Sequence, residues 1–190
     1  MLSPDEVIRR LREDGSLLEV APGVTGLRGP VVSLLREIEV ALADLARAET
    51  RDEWRTPAGV SFETLERAQY FASFPQWLTA ASHLSGDVES LERIATGKSP
   101  GTEARSSLAS ADVALPPAVC YNTYAALADT VIDPPVIMTA QGTCWRHEGD
   151  RHSPLERGWA FTMREIVCLG AERDVKDFLD RSVARVTSLE

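Results

Sequence analysis

The chain is poor in cysteine, with three in 190 residues and no dense spacing pattern. That excludes a disulfide-stapled secreted scaffold and suits free thiols in a reducing compartment. No window approaches the ~18 uninterrupted apolar residues of a membrane span. The opening "MLSPDEVIRRLRED" has neither a basic n-region nor an apolar h-region, so no signal peptide is expected. Positive charge is also short. Twenty Lys and Arg stand against 29 Asp and Glu, a net charge of −9 that argues against a broad electropositive face for nucleic acid. Internal repeats are lacking. These absences predict a cytoplasmic protein without a membrane partner.

What is present is ordinary globular material, 44% apolar and 26% charged. A single domain of this length buries roughly 70% of its unfolded surface and needs no metal or disulfide to fold. Ser3, Pro4 and Glu6 mark a helix start, with Leu2 and Val7 placed as a staple, and the helix is expected to stop at Gly15. "VAPGVTGLRGP" (20–30), with three Gly and two Pro, reads as a loop or short irregular strand. Val31, Leu34, Leu35, Ile38, Leu42 and Leu45 form the apolar stripe of the longest helix, expected as a core helix with a subunit-interface helix as rival.

Further along, "RDEWRTPAGVS" (51–61) reads as a strand broken at Pro57, and 62–70 as a short helix. Another helix is expected over 87–95, and "TGKSPGTEARSSLASAD" as a surface loop. Segment 113–130 predicts a strand, a Pro-Pro stop and a short helix with Cys120 near its start. Two strands follow, from Val136 to about His147 and from Trp159 to Leu169. A final helix over about 172–186 is expected to bury Val175, Phe178, Leu179, Val183 and Val186. Consecutive antiparallel strands mixed with helices indicate an α+β fold, an antiparallel sheet flanked by helices. The closing pair, Leu189 and Glu190, carries no functional reading.

The chemistry concentrates in "CWRHEGDRHSPLERGWAFTMREIVCLG" (144–170). Strand alternation puts Arg146 and Glu148 on one face, and Phe161, Met163 and Glu165 on one face of the partner strand. Arg164, Ile166 and Cys168 share the opposite face. A cation, a carboxylate and an aromatic ring on a cleft-facing surface suit a nucleoside triphosphate, and Arg151, His152 and Arg157 add cations on the loop. A solvated charged hairpin is the alternative from pattern alone. Trp54, Trp77 and Trp159 read as core, and His83 as structural, although its segment "SFPQWLTAAS" is also suited to lining an amino-acid pocket. His147 is expected to face away from Arg146 and Glu148.

"WRHE", the charged loop and "RGWAFTMREIVCLG" resemble the second signature motif of class II aminoacyl-tRNA synthetases. Together with "SFP", "LPPAVCYNTYAAL" and the 45-residue step from Cys120 to Glu165, the chain resembles the amino acid:[carrier protein] ligases. These are relatives of the atypical zinc-dependent seryl-tRNA synthetases. The resemblance runs from about "GVTGLRGP" to the last helix and stops before the third signature motif.

The resemblance implies one class II synthetase-like domain over 1–190, truncated before that motif. Within it, 1–29 is an N-terminal helix and loop, 30–60 a dimer element like the first motif, and 113–170 the Cys120 segment with the nucleotide hairpin. It implies that Arg146 binds the α-phosphate and stabilises the charge developing there, that Glu148 accepts from the adenine amine and that Phe161 stacks on the ring. Arg157, with Arg151 as the alternative, would meet the outer phosphates of ATP bound with Mg2+. Cys120 and Glu165 match two of the family's three zinc ligands, an incomplete set in which Cys168 faces the wrong way. The implied activity is ATP-dependent activation of a small amino acid and its transfer to a carrier-protein phosphopantetheine thiol, in secondary metabolism. The implied assembly is a homodimer, without tRNA. The alternative is a non-catalytic paralogue that binds an amino acid, a carrier protein or a homologous synthetase.

Overall fold

The computed structural model describes residues 2–188, so Met1, Leu189 and Glu190 lie outside the described residues. Helix α1 (Pro4–Glu13) starts as its sequence dictates, the Ser3 side chain accepting from the Glu6 N–H at 3.2 Å. It ends at Asp14, before Gly15 at φ +72°. The next segment takes the short-strand alternative, within a hairpin longer than the 20–30 reading. Leu17–Ala21 (β1) and Val24–Leu27 (β2) form an antiparallel hairpin turning at Pro22-Gly23, with a register shift after Glu19. Alternation was hidden there because both strands are short and neither buries a continuous face.

The long helix α2 (Pro30–Arg47) forms as predicted, but not as a core helix. Its buried residues are Ala43 and Ala46, while Leu34, Leu35, Ile38 and Val40 are exposed. Pro57 separates β3 (Glu53–Arg55) from β4 (Val60–Ser61). Then follow α3 (Phe62–Arg67), α4 (Tyr70–Ser73), β5 (Thr79–Ala81) and α5 (Val88–Thr96), the last capped by Asp87 accepting from the Ser90 N–H at 2.8 Å. The expected loop after α5 contains a seven-residue helix, α6 (Pro100–Ser106), started by proline at its first position. Strand β6 (Val113–Leu115) and helix α7 (Cys120–Leu127) bracket the Pro-Pro stop.

Two ten-residue strands, β7 (Val136–Trp145) and β8 (Ala160–Leu169), pair antiparallel without interruption from Val136↔Leu169 to Trp145↔Ala160. Strand β3 adds in parallel to β7, giving the order β3-β7-β8, and a second antiparallel sheet has the order β4-β6-β5. Register then sorts the side chains. Ala140 and Cys144 pack with Val119, Trp54, Phe161 and Met163 on one face. Arg164 and Ile166 meet α2 and the last helix, α8 (Glu172–Thr187), on the other.

Arg164 ties three strands together. It is nearly buried and donates to Gln141 Oε1 at 2.7 Å, Glu53 at 2.9 Å and Thr139 Oγ1 at 3.3 Å. Of the five α8 residues expected inside, Phe178 is buried, whereas Val175, Leu179, Val183 and Val186 remain exposed. Helical spacing located the apolar stripe correctly. Only the innermost residue of that stripe finds a protein surface to meet.

Candidate functional site

The loop from 146 to 159 leaves β7 and returns to β8 against the N-terminal hairpin. The Trp159 N–H donates to the Gly23 carbonyl at 2.6 Å, and the Arg146 N–H donates to the Trp159 carbonyl at 2.8 Å. Gly23 has φ +67°, and a Cβ there would sit under 3.0 Å from the Trp159 indole. Only glycine accepts both the backbone conformation and the contact. This junction brings Thr25 and Leu27 over the hairpin face and creates a cleft of about 630 Å³. Arg146, Glu148, Arg157 and Phe161 all line it. Arg151 does not.

Arg146 is fixed by a backbone carbonyl and two rings, not as one half of an ion pair. Its Nε donates to the Pro117 carbonyl at 2.8 Å. Its guanidinium lies over the Trp77 ring at 5.7 Å and the Phe161 ring at 5.4 Å. Among the described residues no carboxylate bridges to it, so its terminal nitrogens are left for an anion. The planar group is fixed by one hydrogen bond and two aromatic faces, which leaves it little conformational freedom.

Glu148 and Arg157 meet each other at 3.3 Å across the cleft, Glu148 mostly covered and Arg157 half-exposed. In an open cleft such a pair contributes little, and a ligand able to satisfy both groups displaces it readily. His147 faces away, as expected, and packs on Trp159 at 4.5 Å. His152 meets the edge of the same indole at 5.8 Å.

The second predicted group also comes together. The Cys120 N–H, at the start of α7, donates to Glu165 Oε2 at 3.0 Å. Burial, reinforced by the Glu165 charge, pushes the Cys120 thiol up to about 12. As a test of the implied zinc, two of its donors are adjacent, but among the described residues no group of three His, Cys, Asp or Glu side chains is placed to hold a metal. The residues therefore do not form a three-ligand centre. Cys168 points to the α8 side, as strand parity requires.

Sequence reasoning missed four participants. Trp77, read as core, instead supports the Arg146 guanidinium. Cys144 pairs with Phe161 and is buried on the Glu165 face, its thiol raised to about 12 by burial and then by Glu165. Parity of the paired strands would have placed it there. Tyr70 and Tyr121 meet edge to face at 5.7 Å beside the same site, with no sequence signal beyond aromatic character. Burial raises both phenols above their usual range.

This three-stranded core, with a long leading helix, a parallel first strand and a long antiparallel hairpin, has the fold of the class II aminoacyl-tRNA synthetase core. The M. kandleri SerRS, solved with A. aeolicus tRNASec, superposes with a TM-score of 0.76 at 22% identity over 95% of this chain and 37% of that one. The Giardia lamblia prolyl-tRNA synthetase bound to prolyl-adenylate gives 0.71 at 14% identity over 97% and 34%. In sequence, the chain is a homologue of two amino acid–[acyl-carrier-protein] ligases of Bradyrhizobium diazoefficiens. It is 31% identical to ligase 1 over 151 residues, 78% of this chain and 46% of the relative. It is 29% identical to ligase 2 over 171 residues, 89% of this chain and 50% of the relative. The chain thus spans about half the length of the curated relatives it matches. No family model matches it.

Proposed function

We propose that the chain activates a small amino acid with ATP and passes the acyl group to the phosphopantetheine thiol of a carrier protein. The observation that carries this reading is the unpaired, aromatically clamped Arg146 guanidinium in a cleft it shares with Phe161, Glu148 and Arg157. The two ligase homologues support the reaction class. The cleft supports the location of the chemistry.

Arg146 engages the α-phosphate, with adenine stacked on Phe161 and its amine donating to Glu148. Arg157 leaves Glu148 for the β- and γ-phosphates carried with Mg2+. The amino-acid carboxylate oxygen attacks the α-phosphorus, the bond to the β-phosphate oxygen breaks, and pyrophosphate departs. Charge accumulates on the α-phosphate oxygens in the transition state, and the fixed guanidinium stabilises it without reorganising. The carrier thiol then adds to the acyl carbon, AMP leaves with the electrons of the C–O bond, and the thiol proton passes to solvent.

The same reading makes 30–60 a dimer element. The exposed Leu34, Leu35, Ile38 and Val40 on α2 support it, since an apolar helix face of this kind is stabilised by a second surface. Among the described residues no helix is long and apolar enough to cross a membrane.

Amino-acid-dependent exchange of pyrophosphate into ATP tests the first half of the reaction, and the mass gain of a holo-carrier protein tests the second. The expected result is exchange with a small amino acid and an acylated carrier. Binding of ATP or amino acid without exchange would replace this reading with the non-catalytic paralogue.

A further inference from the structure

Among the described residues, three other than glycine hold a positive φ: Gln69 at +56°, Asp129 at +58° and Leu155 at +67°. The first two are accounted for. Gln69 follows the C-cap of α3 and Asp129 the C-cap of α7, the position at which a single left-handed residue commonly ends a helix. Both are polar, and neither lines the cleft that holds Arg146. Leu155 ends no helix, and it does line that cleft.

Leu155 sits at the middle of a tight turn between Ser153 and Arg157. The Ser153 N–H donates to the Arg157 carbonyl at 3.0 Å, and the Arg157 N–H donates to the Ser153 carbonyl at 2.9 Å. Pro154 presets the first corner of this turn. At a following corner with positive φ, glycine or asparagine is the usual residue. Leucine there carries the left-handed penalty of a bulky side chain. It is also 52% exposed and belongs to neither buried cluster of the core, so burial within the chain does not offset the strain. The position is costly in conformation and in exposure.

The cleft supplies the missing contact. Phe161 lines it from strand β8, and Leu155 lines it from the loop. The loop residues beside Leu155 there, Glu156, Arg157 and Gly158, offer charge or no side chain, so Leu155 is their aliphatic member. We infer that Leu155 is a base-covering residue of the nucleotide cleft, its side chain closing on the face of the base turned away from Phe161. The inference rests on the proposed nucleotide site. Strain kept at a cleft and not offset inside the chain is offset when the ligand binds, because the base buries the exposed leucine. The doubly bonded turn also ties Leu155 to Arg157, so base cover and outer-phosphate contact come from one fixed unit.

The test is Leu155→Asn, because asparagine accepts a positive φ and removes the apolar chain. Leu155→Met, which restores an apolar chain, is the conservative companion. Wild type and both variants are titrated with ATP–Mg2+ and melted without ligand. The inference predicts about fivefold weaker ATP binding by Leu155→Asn, the size of partly covering one leucine side chain. Its melting temperature should equal or exceed that of wild type, and Leu155→Met should recover most of the lost affinity. Equal ATP affinity of Leu155→Asn and wild type would overturn the inference and leave the Arg146 site standing. A lower melting temperature of Leu155→Asn would also overturn it, by showing that the leucine holds the loop together. So would a Leu155→Met variant as weak as Leu155→Asn. Wild type that binds no ATP overturns both the inference and the nucleotide reading beneath it.

Discussion

The backbone N–H of Cys120 donates to the Glu165 carboxylate at 3.0 Å, joining the first residue of α7 to the middle of β8. An ionised acceptor at a helix N-terminus satisfies one of the free N–H groups and complements the helix dipole. Glu165→Ala removes that acceptor and is expected to cost about 2 kcal/mol, within the range for hydrogen bonds to charged groups. Glu165→Gln keeps a neutral oxygen and should cost roughly half as much. Urea unfolding of the three proteins checks the order. Equal stabilities would show that the contact does not anchor α7.

Alkali provides a second check. Tyr70, Cys120 and Cys144 each have folded pKa values raised to about 12 from ordinary values of 10.0, 9.0 and 9.0. At pH 7–8 all three are largely protonated whether the chain is folded or not, and their full contribution is present. As pH rises past the unfolded values, the unfolded chain releases protons that the folded chain keeps, so stability falls until about pH 12. The urea midpoint should hold between pH 7 and 8 and then drop between pH 9 and 11. A Cys120→Ala, Cys144→Ala double variant should drop less steeply. A flat wild-type profile across this range would contradict the burial of these groups.

Gly23 and Gly149 both have positive φ, +67° and +59°, but different surroundings. At Gly149 an added Cβ meets open space, whereas at Gly23 it meets the Trp159 indole. Gly149→Ala should therefore cost about 1 kcal/mol, the left-handed backbone penalty alone. Gly23→Ala should cost more than 2 kcal/mol and also weaken ligand binding, because Thr25 and Leu27 of the same hairpin line the cleft. Thermal melts of the two variants, with and without ATP, separate these effects.

How legible the site was depended on the kind of signal. Strand alternation correctly separated Phe161, Met163 and Glu165 from Arg164, Ile166 and Cys168, because register within a long hairpin is fixed by period two. The same logic, applied to β7, would have found Cys144 opposite Phe161. Trp77 and Tyr70 were out of reach. Trp77 comes from a proline-interrupted segment with no periodicity and Tyr70 from the end of the expected 62–70 helix, and both are positioned by tertiary packing of rings on rings.

The fold was read well where a cap or breaker acted locally, as at Ser3, Asp87, Pro57 and the Pro116-Pro117 stop. It was read poorly where burial depended on what a surface meets. The apolar stripes of α2 and α8 show the difference, since helical spacing identifies a face without identifying its partner. The hairpin at 17–27 and the short helix α6 were masked by glycine, proline and serine, which mark turns but do not forbid the strands or helical turns beside them.

The central claim is that Arg146 is the phosphate-binding group of this cleft, and equilibrium titration with ATP–Mg2+ tests it most directly. Wild type, Arg146→Ala and Cys168→Ala are compared, the last altering the opposite face of β8. The account predicts binding by wild type and Cys168→Ala with the same affinity, and at least tenfold weaker binding by Arg146→Ala. Loss of one charge-assisted contact to phosphate is of that size or larger. Equal affinity of Arg146→Ala and wild type, or no nucleotide binding by wild type, would contradict it.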